Sequence, residues 1–406
     1  MLLILLFVLL LSLLIKVYRK QGLSPSVLVI SIYVLSSFLS CIYFYYDKSL
    51  YPVSFFSILY YACCLALFFL PLSAFSGKSE CFTFKSPRAL SVFAWIIIIC
   101  GFVDIASRII HFDFATTAMS FAEQRSEYYK TFGEEKIATD IWERISSNVY
   151  PLMIFTIPLA FYYLKRDKLK SYLLFFASSS IVIYGLSRAS RQELVLWMVN
   201  MAVGFLMFRD QFSKKSLRRI IIVFSGVVGV MVSLLVAITA QRFGEGDDFL
   251  DSFFSYFSAQ PFNACYFLEH LHDQALWGQA NFPYLVGKPY ITLYNDVFNA
   301  SEFLNVFGTI VGSYYFDFGY FTVFIIGFVA LFFMNSMKAC KRRKSLLFFY
   351  VYIIYMNMMI VGIFYNNYVS PPVARILAFM GILLIIIENI NSKKTKYNGI
   401  GNSINL

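Results

Sequence analysis

Two arginines three residues apart stand in the most chemically loaded stretch of the chain, Tyr184-Gly-Leu-Ser-Arg-Ala-Ser-Arg-Gln-Glu193. Ser190 and Glu193 have the S-x-x-E spacing of a capping box, so a helix is expected to start there, with Arg188 before the cap and Arg191 in the first turn. A cation at a helix N-terminus opposes the macrodipole by about 0.3–1 kcal/mol. Two guanidinium groups beside the unbonded N–H groups of a first turn together favour an anion, a phosphate above all. The structural alternative is that both side chains extend to lipid headgroups. Arg242 and Arg375 carry the same two readings. Arg242 lies at a helix C-terminus, where the dipole welcomes a cation, whereas Arg375 follows Pro371-Pro372 near a helix start and opposes it as Arg191 does. Arg108 has Asp104 one turn before it, a spacing that predicts an ion pair.

A second pattern is Thr309-Ile-Val-Gly-Ser-Tyr-Tyr-Phe-Asp-Phe-Gly319. Asp317 is set among aromatics at an apolar boundary, where desolvation raises a carboxyl towards the range of a general base. It can equally be a first-turn acid favoured by the dipole of the following helix. Glu193 and Asp296 are the fallback carboxylates. His270-Leu-His272 is the only histidine cluster, and residues two apart do not share a helix face, so no metal pair is expected. There is no P-loop, no dinucleotide fingerprint and no HExxH. Nothing in the sequence calls for a cofactor.

These residues are held by apolar elements. Of 406 residues, 59% are hydrophobic and 14% charged, whereas soluble chains carry about 25% charged residues. A bilayer core of about 30 Å takes roughly 17–25 apolar residues per helix. The candidate segments are Leu2–Ile15, Val27–Tyr46, Val53–Phe75, Ala89–Ile110, Val149–Leu164, Tyr172–Leu186, Leu194–Phe208, Ile220–Ala240, Phe318–Met337, Leu346–Phe364 and Val373–Ile387. The expected fold is all-α: a polytopic membrane protein of about eleven transmembrane helices, residues 1–406 forming a single integral membrane domain. Leu2–Ile15 lacks a basic region before it and a small-residue cleavage site, and reads as a retained span. The seven cysteines are scattered over spans and loops on different sides, so no disulfides are expected.

The net charge of +11 is distributed by topology. Alternate loops and the C-terminal tail, from Lys16/Arg19/Lys20 to Lys393/Lys394/Lys396, collect 23 of the 34 basic residues and only four acids. That side is expected to be cytoplasmic, with the C-terminus inside and the N-terminus outside, and nucleic acid drops out as a partner. Two large loops then face outward, 111–148 and 241–317, the second lying between spans eight and nine with nine acids and two bases. Phe249 to Leu271 is rich in aromatics and is expected to lie along the interface as a helix. Short cytoplasmic loops leave no room for a nucleotide-binding domain, so any chemistry faces outward on a substrate carried by the membrane.

The whole chain resembles the O-antigen and capsule repeat-unit polymerases of the Wzy type. The resemblance rests on the order of many spans, a mid-chain Ser-Arg turn and one large outer loop. Leu186-Ser-Arg-Ala-Ser-Arg191 is similar to the family's Ser-Arg motif at an outer helix start. Tyr314-Tyr-Phe-Asp-Phe-Gly319 is similar to its aromatic-acid-Phe-Gly approach to the span after the loop. The resemblance implies a multi-pass protein of the bacterial inner membrane. It implies a glycosyltransferase that polymerises glycan repeat units carried on undecaprenyl diphosphate, in contact with membrane lipids and a chain-length regulator. Arg188 and Arg191, with Arg242 and Arg375, are then expected to hold the diphosphate, and Asp317 to take the acceptor hydroxyl's proton. Two other expectations stand beside it: an O-antigen ligase, whose loop histidine would be sought at His270 and His272, and a flippase or transporter for the same lipid-linked sugar. Transporters usually show paired repeats and charges near the midplane, whereas here polar residues gather in the outer loops.

Overall fold

The computed structural model describes residues 2–46, 53–110, 141–187, 190–243, 247–270, 276–279, 281–282, 308–366, 368 and 370–401. Every regular element among them is helical: α1 Leu2–Gln21, α2 Pro25–Tyr46, α3 Phe55–Phe68, α4 Leu70–Ala74, α5 Pro87–Ile110, α6 Ile141–Val149, α7 Thr156–Tyr163, α8 Lys168–Ser187, α9 Arg191–Phe208, α10 Lys214–Phe243, α11 Asp247–His270, α12 Thr309–Phe318, α13 Thr322–Arg342, α14 Leu346–Val361 and α15 Pro371–Gly401. Helices suit a chain in lipid, because each satisfies its own backbone N–H and C=O groups. All eleven apolar segments of the sequence carry helix. Seven described stretches are long and apolar enough to cross a membrane: Pro25–Ile42, Pro87–Ile110, Arg144–Tyr163, Lys168–Ser187, Lys214–Ala240, Thr309–Arg342 and Pro372–Ile390. Phe55–Phe68 and Leu346–Val361 are apolar but shorter. The chain is a membrane protein. Residues 111–140 of the first expected outer loop and 283–307 of the second lie outside the described residues.

The helices gather into two compact units. One comprises Met1–Gly77, Leu250–Ala339 and Val351–Ala374; the other comprises Lys78–Phe249, Cys340–Tyr350 and Arg375–Leu406.

In the first unit the carbonyls at the end of α4 are taken by side chains. Gln21 Nε2 donates to Leu72 O and Ser73 O at 2.9 and 3.0 Å, and Ser26 Oγ to Phe75 O at 2.7 Å. Helix α11 is the surprise. The sequence placed Phe249 to Leu271 along the interface, but Phe262, Ala264, Cys265, Phe267 and Leu268 are buried together with Ser258, Gln260 and Asn263. An interfacial helix leaves a polar face to water; between Ser258 and Leu268 the polar side chains Ser258, Gln260 and Asn263 are buried instead. Pro261 lies inside the helix and has no N–H for the carbonyl of Phe257. Ser36 Oγ donates to that carbonyl at 2.7 Å, and Ser40 Oγ to the carbonyl of Ser258 at 2.6 Å. Two serines of α2 thus satisfy the backbone that proline disrupts, and this pairing seats α11 in the protein rather than on lipid. At its far end, Glu269 accepts from Ser54 N and Ser57 Oγ, each at 2.6 Å, which puts a carboxylate at the start of α3, where the dipole favours one.

In the second unit, aromatic packing and one buried ion pair bind the helices. Phe155 stacks on Tyr350 with centroids 4.9 Å apart and meets Phe93 edge-on at 5.4 Å. Asp104 on α5 is fully buried. Arg108 engages both its oxygens, Nε and NH2 each at 3.0 Å, as the i,i+4 spacing predicts. Ser146 of α6 and Ser180 of α8 donate to the same carboxylate. The guanidinium lies 4.0 Å from the ring centroid of Tyr184 and 5.1 Å from that of Tyr150. A buried charge persists only where it is paired and hydrogen-bonded, and this cluster does so with groups from four separate segments.

Candidate functional site: an arginine turn and a buried carboxylate

The arginine turn follows directly from the Asp104 cluster. Tyr184, whose ring covers Arg108, is the fourth residue from the end of α8. Its neighbour Gly185 accepts a hydrogen bond at 2.8 Å from Ser190 N, closing the chain across the turn. A Cβ on Gly185 would lie 3.0 Å from Glu193 Cβ and 3.2 Å from Ser190 O, so only glycine lets α8 and the start of α9 approach this closely. Ser190 is the N-cap of α9, as expected, but it does not close a capping box. Its side chain accepts no backbone N–H; the hydroxyl donates instead to the Glu193 carboxylate. The charge-assisted bond is the stronger option for that hydroxyl.

Arg191 is the first residue of α9, half-buried, and its NH1 reaches Thr239 Oγ1 on α10 at 3.4 Å. Arg242 falls one turn further along α10, so the structure brings Arg191 to the helix that carries Arg242. The side chain of Arg242 is outside the described residues, as are Arg188, His272 and Asp296 and the side chain of His270. Arg375, in the first turns of α15, is exposed.

Asp317 belongs to the first unit. The sequence set it at the N-terminal edge of a span beginning at Phe318. In the structure the helix starts nine residues earlier, at Thr309, and Asp317 is the last residue but one of α12. Gly319, at φ 49°, breaks the backbone before α13; positive φ is cheap only for glycine. A carboxylate at a helix C-terminus is disfavoured by the dipole, so Asp317 needs donors. It is fully buried, and its Oδ2 accepts from both Asn281 N at 2.5 Å and Asn281 Nδ2 at 2.7 Å. Trp277 N donates to its carbonyl at 2.8 Å and caps the helix. The segment around Asn281, 36 residues away in sequence, is therefore fastened to the end of α12.

Sequence reasoning missed the partners on both sides. Tyr150, Ser146, Ser180 and Thr239 have no local signal. Asn281 and Asn366 lie outside the apolar segments and likewise carry no local signal. Among the described residues, no group of three or more histidine, cysteine, aspartate or glutamate side chains is placed to hold a metal ion. The chain matches no known family, no curated protein and no solved structure.

Proposed function

We propose that this protein is a membrane glycosyltransferase that polymerises undecaprenyl-diphosphate-linked oligosaccharide repeat units on the outer face of the bacterial inner membrane, with an outside N-terminus and a cytoplasmic C-terminus across about eleven spans. The observation that carries this reading is the position of Arg191. It opens α9 at a turn that also contains Arg188, and its guanidinium spans to α10 one turn before Arg242. Arginines at the start of a helix favour a bound anion, and a diphosphate offers several oxygens to planar arginine forks. Arg375 is the remaining candidate for that anion.

In the proposed reaction the hydroxyl of a lipid-linked repeat unit attacks the anomeric carbon of the growing chain. A new C–O bond forms, the bond from that carbon to the lipid diphosphate breaks, and its electron pair leaves on the phosphate oxygen. Arginine charge stabilises the leaving group as negative charge builds. The hydroxyl proton goes to a carboxylate, for which Asp317 is the proposed acceptor; the step needs no cofactor.

Deletion of the gene, followed by sizing of the surface glycan, tests the reading. A polymerase loss leaves single repeat units attached to their final carrier. Complete absence of attached glycan would replace the reading with a ligase or a flippase.

A further inference from the structure

Behind Asp317 runs a directional chain of hydrogen bonds through two buried amides. Tyr368 N donates to Asn366 Oδ1 at 3.2 Å, Asn366 Nδ2 to Asn281 Oδ1 at 2.9 Å, and Asn281 Nδ2 to Asp317 Oδ2 at 2.7 Å. Asn281 Nδ2 also reaches Ser313 O at 2.6 Å, one turn before Asp317 on α12. Both amide ends of Asn281 are thus engaged, and its backbone N–H points at the same carboxylate oxygen. Asn281 is 3% exposed and Asn366 6%. An amide can be rotated end for end at little intrinsic cost, and here the donor from Asn366 fixes which end faces Asp317. We infer that Asn281 is the positioning residue of the Asp317 carboxylate and that Asn366 sets the orientation of Asn281. The inference rests on Asp317 being the proton acceptor.

The physical case is one of geometry. Two donors on a single carboxylate oxygen fix the carboxylate plane, and with it the direction of the second oxygen. A proton acceptor must meet its donor at about 2.6–3.2 Å, and groups that orient such a residue through hydrogen bonds act on turnover without touching substrate. Fastening the carboxylate through a residue of the large outer loop also links the loop's seating to the chemistry.

The test compares Asn281→Ala, Asp317→Asn and the exchange Asp317→Asn with Asn281→Asp in full-length protein, in membranes, at matched protein level. Turnover and KM are measured with lipid-linked repeat units. Asn281→Ala should lower turnover about 10- to 100-fold, the range for a lost second-layer partner, with KM near that of the parent. The exchange keeps an amide–carboxylate hydrogen bond between the two positions but moves the carboxylate off α12, and it should remain inactive. Normal turnover in Asn281→Ala with a dead Asp317→Asn overturns the inference and leaves the proposed proton acceptor standing. Full activity of Asp317→Asn removes the proton acceptor itself. Restoration of activity by the exchange would make the pair a structural fastening and overturn both. If Asn281→Ala does not accumulate, Asn366→Ala carries the same comparison, since the Asn281 amide then loses its orienting donor while the bond to Asp317 remains possible.

Discussion

Removing the Asp104 carboxylate puts the architecture behind the arginine turn to its hardest test. Asp104 is fully buried and the Arg108 side chain only 12% exposed. Two guanidinium contacts of 3.0 Å and two serine hydroxyls converge on it. Asp104→Ala would leave a guanidinium buried without its anion, a change that typically costs about 3–5 kcal/mol. The ring of Tyr184 at 4.0 Å retains part of the charge stabilisation, about 2 kcal/mol when desolvated, so the lower end of the range is expected. A loss of about 3 kcal/mol lowers the folded-to-unfolded ratio by more than 100-fold, since about 1.4 kcal/mol is tenfold. The assay is equilibrium unfolding of the purified protein in detergent, with activity followed in parallel. Asp104→Leu with Arg108→Met should recover much of the loss, because two apolar side chains replace a pair rather than orphan one member. A single variant within about 1 kcal/mol of the parent, or a double variant worse than the single, would refute the view that this ion pair binds α5, α6 and α8 and sets the arginine turn.

Ser36→Ala should cost about 1 kcal/mol, a typical net hydrogen bond, and Pro261→Ala should offset it by returning an N–H to the Phe257 carbonyl; additive losses in thermal midpoint would contradict this account of α11. Gly185→Ala gains up to about 1 kcal/mol of helix propensity but presses a methyl onto Glu193 and Ser190 at 3.0 and 3.2 Å, an overpacking of about 1–3 kcal/mol; the expected sum is a modest stability loss with shortened polymer, and unchanged chain length would sever the turn geometry from function. In a background lacking native cysteines, single cysteines near Lys215 and Lys341 should resist an impermeant thiol reagent in intact cells, and one near Asp273 should react. Labelling at position 215 would reverse the orientation.

How far the sequence carried the structure differs by kind of interaction. The apolar runs predict helices because continuous apolar stretches of this length match a helix across the bilayer rather than a short barrel strand. Arg108 and Asp104 were legible as a pair because they are one turn apart on one helix. Their other partners were not: Ser180 is 76 residues from Asp104, and no local spacing encodes such a contact. The start of α9 was read correctly at Ser190, yet the hydroxyl chose the Glu193 side chain over the backbone, a competition that spacing alone does not resolve. Asp317 shows the sharpest limit. The apolar run suggested a span beginning at Phe318, but a separate helix, Thr309–Phe318, precedes the break at Gly319 and carries Asp317 near its C-terminal end. What surrounds the carboxylate is then set by Asn281 and Asn366, which only the fold brings near. Helix α11 is legible as a helix, but the burial of Ser258, Gln260 and Asn263 along it is not. Its aromatics look interfacial until Pro261 is matched with the serines of α2.

The most direct measurement is the distribution of glycan chain lengths made by Arg191 variants at constant protein level. Arg191→Lys keeps the charge but loses the planar fork that can engage two phosphate oxygens, and it should be strongly impaired. Arg191→Ala should lose about 100- to 1000-fold in polymerisation rate, which corresponds to about 2.7–4 kcal/mol of transition-state stabilisation, the scale of one preorganised donor. Its product should collapse to single units or short chains, as should that of Arg188→Ala. Normal chain lengths from both alanine variants at normal expression would contradict the diphosphate site at this turn, make the two side chains headgroup anchors, and move the search to Arg242 and Arg375.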